Sequence, residues 1–167
     1  CLISTTDFFM PVVDSAFDFG KISAANAISD VYAMGGKPIM ALAILGWPTE
    51  KLGTESAKEV LNGARKICSE AGIPLAGGHS IESVEPIFGL SVNGLVTKTN
   101  LKPNCTLKEN NSLYLTKALG TGIYSTALKR GKLLDEDYTE LFQSMTQLNA
   151  LGFELGKLDY VTAITDV

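Results

Sequence analysis

Apolar residues fall along the chain in blocks of two different periods. Residues 1–6 alternate and predict a short strand, whereas Ile22, Ala25, Ile28, Val31 and Tyr32 recur at helical spacing. That spacing predicts a helix over residues 17–34, closed by Gly35-Gly36. Residues 38–47 are apolar on both pleat faces, with Ile39, Ala41, Ala43 and Leu45 on one and Met40, Leu42 and Ile44 on the other. Such a strand must be covered on both sides. A second helix is predicted over residues 54–71, ended by Gly72, and a short strand over 73–76 runs into a turn at Gly77-Gly78-His79-Ser80. Residues 86–96 form another two-faced apolar run, and the polar stretch 97–111, with Pro103 and Asn110-Asn111, reads as a loop. The pattern then resumes: a strand over 112–116, a helix from Gly120-Thr121-Gly122 to Arg130, a helix over 135–155 and a strand over 161–165.

Helices alternating with strands that include one hairpin-type pair predict a mixed α/β or α+β unit built on one main sheet. By count, the helices cover one face of it. The other face is expected to meet a second copy of the sheet in a homodimer, through Met40, Leu42, Ile44, Phe88, Leu90 and Val92. The chain starts in mid-strand and stops just after an apolar run, as expected of a piece of a longer protein.

Composition narrows the class. The chain has 167 residues, 14 Lys and Arg against 18 Asp and Glu, and a net charge of -4. It has no basic block, which argues against nucleic acid or an anionic membrane as partner. The longest apolar run, 39–47, is far short of the roughly 20 residues that span a bilayer. Residues 1–7 carry no basic stretch and no small-residue cleavage site, so no signal peptide is expected and the protein reads as soluble and cytoplasmic. Cys1, Cys68 and Cys105 are odd in number and far apart, with one His in the chain, which disfavours disulfide and zinc readings alike. Cys68, at helical spacing with Ala64, Ile67 and Ala71, is expected to be a packed thiol.

Three acids share a local setting: Asp7 after Thr6, Asp166 after Thr165, and Asp30 after Ser29 inside an apolar helix. Strand ends of open sheets collect binding sites, and carboxylates hold Mg²⁺ together with substrate phosphates. On local pattern alone, Asp7 and Asp166 read first as turn residues that end strands. Ser23, Asn26 and Asp30 form a polar stripe on the first helix, either a solvated face or a ligand site. Short polar side chains, which are poor helix formers, favour the ligand site. Gly77-Gly78-His79-Ser80 could admit a bulky anion close to the backbone. His79 is either a strand-end residue hydrogen-bonded in place or a ligand contact. Gly120-Thr121-Gly122 matches neither a phosphate-loop nor a dinucleotide fingerprint and reads as a helix entry.

Several runs resemble the selenophosphate synthases: residues 4–11 (Ser-Thr-Thr-Asp-Phe-Phe-Met-Pro), 24–38 around Asn26 and Asp30, 43–48, 76–81 around Gly78-His79-Ser80, and 85–90. The likeness keeps its order over essentially the whole chain. It implies the amino-terminal α/β domain of the aminoimidazole ribonucleotide synthetase-like fold, its sheet packed by helices on one face and by a dimer partner on the other. Residues 1–111 would be the core of that ATP-binding domain and 112–167 the beginning of a second α/β domain. The implied reaction turns ATP, selenide and water into selenophosphate, AMP and phosphate with Mg²⁺. By match, Asp7, Asp30, Gly78, His79 and Ser80 would bind ATP, with Asn26 as a neighbour, and Asp30 and Asp166 would bind the metal. The family's catalytic Cys or selenocysteine and its Lys would lie upstream of Cys1, leaving these 167 residues inactive alone. Glu82 where Asp is usual, Ala118 where Pro is common, and Ser15-Ala16 are departures that touch no proposed ligand. The competing expectations are a purine cyclo-ligase or hydrogenase-maturation enzyme of the same superfamily, or a non-catalytic nucleotide-binding or dimerisation module.

Overall fold

The computed structural model describes residues 1–167, with the side chain of Asp135 excepted. The elements in order are β1 (Leu2–Phe9), α1 (Ala16–Ala33), β2 (Lys37–Trp47), α2 (Thr49–Glu70), β3 (Leu75–Glu82), β4 (Ile87–Leu95), a 3-10 turn (Asn104–Thr106), α3 (Thr121–Lys129), α4 (Asp135–Thr146) and α5 (Leu151–Gly156). Four strands form one mixed sheet in the order β1-β4-β2-β3. β4 is antiparallel to both β1 and β2, whereas β3 runs parallel to β2. Parallel neighbours need a crossover, and α2 supplies it.

Both long helices begin where the local chemistry satisfies their first amides. Ser15 caps α1 by accepting from the Asp18 amide at 3.2 Å. Pro48, at the start of α2, makes no side-chain cap. Glu82 on β3 takes that role, accepting from the Thr49 amide at 3.0 Å and from its hydroxyl at 2.7 Å. Gly53, with φ 71, interrupts α2, so its regular part begins at Thr54 as the periodicity predicts.

The core lies between α1 and the sheet. Phe88, Leu90 and Val92 of β4 are fully buried there, and Phe19 of α1 meets Phe9 and Phe88 edge-on at 5.8 and 6.2 Å. α2 packs on α1 at a crossing of two glycines: a Cβ on Gly20 would strike the Val60 carbonyl, and one on Gly63 the Phe17 carbonyl. α4 packs against the core through Tyr138, Phe142 and Met145, and the Phe142 ring lies 4.6 Å from the Lys21 ammonium of α1.

Four expectations are corrected. Phe88, Leu90 and Val92 lie on the helix side of β4, not on the open face, because the alternation places Ser91 and Asn93 opposite them. Ile39 is exposed rather than sharing the face of Ala41, because the β2–β4 register shifts between Pro38 and Met40. Residues 112–116 and 161–165 are not strands; neither has a strand neighbour to take its backbone bonds, and Leu113, Tyr114 and Leu115 are exposed. The helix expected over 135–155 breaks after Thr146. Gln147 turns extended there, and the Lys117 ammonium holds the freed chain end by donating to the carbonyls of Ser144 at 3.1 Å and Gln147 at 2.5 Å.

The open face of the sheet carries exposed Leu2, Phe8, Leu42 and Leu95, with Met40 and Ile44 half-buried. Among the described residues, no helix is long and apolar enough to cross a membrane.

Candidate metal and nucleotide site

β1 and α1 lie side by side, and their repeats nearly match: two strand residues rise about 6.7 Å and four helical residues about 6 Å. Two side chains on one can therefore pair with two on the other. Asn26 Nδ2 donates to Asp7 Oδ2 at 2.7 Å, and Thr5 Oγ1 donates to Asp30 Oδ2 at 2.5 Å. Strand positions 5 and 7 thus read helix positions 30 and 26. Asp7 lies within β1 opposite Leu90, not at the strand's end as expected.

The chain's last residues come back to the same place. Lys102, buried, donates to the Leu158 carbonyl at 2.9 Å; Thr106 donates to the Thr162 carbonyl at 2.6 Å; and the Thr162 hydroxyl donates to Asn111 Oδ1 at 2.9 Å. These bonds tie the end of the chain to the 102–111 segment, and the carboxyl of Asp166 comes within electrostatic reach of that of Asp30. Partial desolvation raises the proton affinity of Asp166 above that of an ordinary aspartate; the Asp30 charge and a hydrogen bond between the two carboxyls raise it further. The Ser29 hydroxyl opposes them, stabilising the charged form. Ser29 is buried and accepts from Asn149 Nδ2 at 2.7 Å.

The expected polar stripe on α1 is divided. Ser23 is fully buried with its hydroxyl unpaired, whereas Asn26 is exposed and Asp30 half-exposed. Gly77-Gly78-His79-Ser80 is not a turn but part of β3, continuously paired with Leu42 to Leu45. Gly78 has φ 153, and a Cβ there would strike the Ala43 backbone, so close strand approach explains that glycine. β4 and β2 separate β3 from β1, which puts His79 and Ser80 about three strand spacings, roughly 14 Å, from the Asp7 strand.

Pattern reading missed Thr5, Ser29 and Asn149. Thr5 stood two residues from Asp7, the same-face spacing of a strand; Asn149 carried no signal, because it fell inside what read as one helix. Among the described residues no group of three or more His, Cys, Asp or Glu is placed to hold a metal on its own. The two neighbouring carboxyls are instead a partial, all-oxygen donor set, of the kind Mg²⁺ completes with water and substrate phosphates.

Residues 1–96 match the family model of the AIR synthase related protein, N-terminal domain. The chain belongs to the AIR synthase related family. It is 61% identical over 166 residues to a selenide, water dikinase of Colwellia psychrerythraea, an alignment covering 99% of this chain and 48% of that protein. The chain therefore spans about half the length of the curated relatives it matches. Two solved structures share the fold: thiamine-monophosphate kinase from Stenotrophomonas maltophilia K279a, with TM-score 0.79, 21% identity, and coverage of 93% of this chain and 53% of that one; and AaThiL complexed with AMPPCP and TMP, with TM-score 0.81, 18% identity, and coverage of 97% and 54%. The mixed sheet with helices on one face is thus the amino-terminal fold of AIR synthase-like proteins.

Proposed function

We propose that this chain carries part of the Mg-ATP site of a selenide, water dikinase, which forms selenophosphate, AMP and phosphate from ATP, selenide and water. The observation that carries the reading is the meeting of Asp30 and Asp166 beside Asp7, in a chain 61% identical to a protein of that name. Two facing carboxyls, one already raised in proton affinity, are relieved by a divalent cation, and their hard oxygen donors suit Mg²⁺. Asp30 and Asp166 would hold the ion; when bound, it would neutralise charge on the polyphosphate. Thr5 fixes one oxygen of Asp30, and Asn26 fixes one of Asp7, leaving Asp7 to orient the nucleotide.

Gly78, His79 and Ser80 enter this reading as phosphate contacts from the far edge of the sheet. Two strands separate them from Asp7, so we assign them to a nucleotide held by a second protomer. The exposed apolar face supports a homodimer, though through Leu2, Phe8, Met40, Leu42 and Ile44 rather than the side chains of β4 that α1 covers. Residues 1–111 are the nucleotide-binding core in this reading, 112–167 open a second domain, and ATP and reduced selenide place the reaction in the cytoplasm.

Phosphorus NMR of the full-length protein with Mg-ATP and selenide tests this. Selenophosphate and AMP should accumulate together, and AMP should not form without selenide. ATP turnover indifferent to selenide would refute the activity.

A further inference from the structure

We propose that Glu82 is a positioning residue: its carboxylate latches the end of β3 to the first turn of α2 and so fixes His79 and Ser80 for the nucleotide's phosphates, an assignment resting on the phosphate contacts proposed above. The strand is one that gains from a latch. β3 is an edge strand, bonded to β2 on one side, and Ala76 to Glu82 are all exposed, so packing adds little to the ladder that holds them. Gly77 and Gly78 weaken it further, because glycine in a strand interior brings no side chain to pack and more freedom to lose. The residues assigned to phosphate follow directly.

Glu82 acts from the strand's last position. Strand side chains alternate, so Glu82 shares its side of β3 with Ser80, while His79 faces the other way. It is in register with Trp47, and Thr49 follows two residues later at the start of α2. The two carboxylate oxygens take separate bonds, Oε1 from the Thr49 amide at 3.0 Å and Oε2 from the Thr49 hydroxyl at 2.7 Å. A two-pronged contact of this kind fixes direction as well as distance. The receiving turn is itself braced. Gly53, with φ 71, sets residues 49–52 apart from the regular part of α2; a Cβ there would meet nothing, so backbone conformation rather than space selects the glycine. The indole of buried Trp47 donates to the Gly53 carbonyl at 3.1 Å, and the Lys51 ammonium donates to the Val84 carbonyl at 3.2 Å. Residues 47–53 and 82–84 are thus closed on each other, with Glu82 as the charged acceptor between them.

The test is ATP turnover with selenide by the full-length protein, as wild type, Glu82→Ala, Glu82→Asp, Thr49→Val, the Glu82→Ala/Thr49→Val double variant and Ser80→Ala. Hydrogen exchange over residues 75–85, read by mass spectrometry, and the melting temperature are recorded for each. Glu82→Ala should speed exchange in that stretch and lower kcat/KM for ATP by about 10-fold; misplacing a contact by about 1 Å can cost on the order of 100-fold, and the remaining ladder limits the loss. Glu82→Asp, which keeps the charge one methylene short, should recover part of it. The double variant should be no worse than Glu82→Ala, because both changes open one latch. A lower melting temperature with wild-type ATP kinetics in Glu82→Ala would show a merely structural tie and overturn the proposal. So would a kinetic loss without faster exchange in β3. Impaired Ser80→Ala beside unimpaired Glu82→Ala defeats this inference alone; wild-type kinetics in both defeats the phosphate assignment, and this inference with it.

Discussion

The hydroxyl of Thr5 donates to Oδ2 of Asp30 at 2.5 Å, tying an edge strand to the helix that covers the sheet. A β-branched residue suits the strand, and its hydroxyl leaves the pleat toward α1. Thr5→Val keeps the shape and removes the donor. A hydrogen bond to a charged group contributes about 1.5–3 kcal/mol, and the half-exposed setting of Asp30 argues for about 1.5 kcal/mol. Urea unfolding should show a lower midpoint with unchanged slope. Mg-ATP affinity should drop as well, as it should in Asp30→Ala. Wild-type affinity in both variants would remove Asp30 from the site.

Asp166 gives the site a pH signature. Its proton affinity is raised in the fold, by desolvation first and the Asp30 charge second, so the native state holds a proton that the unfolded chain has released. That contribution is full below the ordinary aspartate value and is lost as pH rises through the raised one. Without metal, stability near Asp166 should therefore decline as pH rises above the ordinary aspartate value. Saturating Mg²⁺ should reverse the decline. Carboxyl-carbon NMR of Asp166 should follow the same titration, and Asp30→Asn should move its midpoint down without restoring it fully, since desolvation persists. A midpoint unaffected by Asp30→Asn would show that the two acids are apart in solution.

The α1–α2 crossing depends on two missing side chains. A Cβ at Gly20 or Gly63 would meet a backbone carbonyl of the opposite helix, which cannot rotate aside as a side chain can. Ala is otherwise the better helix former, by about 1 kcal/mol. The two effects have opposite sign, and the clash should win, because overpacking costs about 1–3 kcal/mol and both helices would have to separate. Gly63→Ala should lower the melting temperature, and Gly20→Ala/Gly63→Ala together should do little more than either alone. A stabilised single variant would mean that the helices lie farther apart than this packing requires.

Periodicity located α1, β2, the regular part of α2 and β4, because each buries a continuous apolar face whose spacing survives in the chain. It failed where the deciding partner is remote. Gly77-Gly78-His79-Ser80 reads locally as a turn, yet it extends as β3 because Leu42 to Leu45 offer a ladder and Gly78 fits against Ala43. Residues 112–116 have strand-like composition and no such ladder. The acids were legible as residue types, but their grouping was not. Asp166 reaches Asp30 only because Lys102 and Thr106, in a stretch that reads as loop, anchor the returning chain.

The three thiols should separate by reactivity. Cys68 is buried between helices and sheet, and desolvation pushes its thiol up to about 11, whereas Cys1 and Cys105 are exposed. Thiolate is the reactive form. A chromogenic disulfide reagent at neutral pH should label two thiols quickly and the third only with unfolding. Rapid labelling of all three would place Cys68 outside the core.

The open face makes the last prediction. Leu42 sits in its centre, in register with Ser91 on β4 and Gly77 on β3, and is exposed although every neighbour on the strand's other side is buried. Leu2, Phe8 and Leu95 extend the patch across β1 and β4. An apolar patch of this breadth on a sheet is an association surface more often than a solvated one. Leu42→Glu puts a charge at its centre without touching the core, so the chain should still fold. Light scattering should give the wild type twice the mass of the 17.8 kDa chain and Leu42→Glu a single chain. Leu52→Glu, at a leucine that is also exposed but lies on α2, should leave the mass at the wild-type value. A wild-type monomer that binds no apolar dye would refute the dimer, and with it the assignment of His79 and Ser80 to a partner's nucleotide.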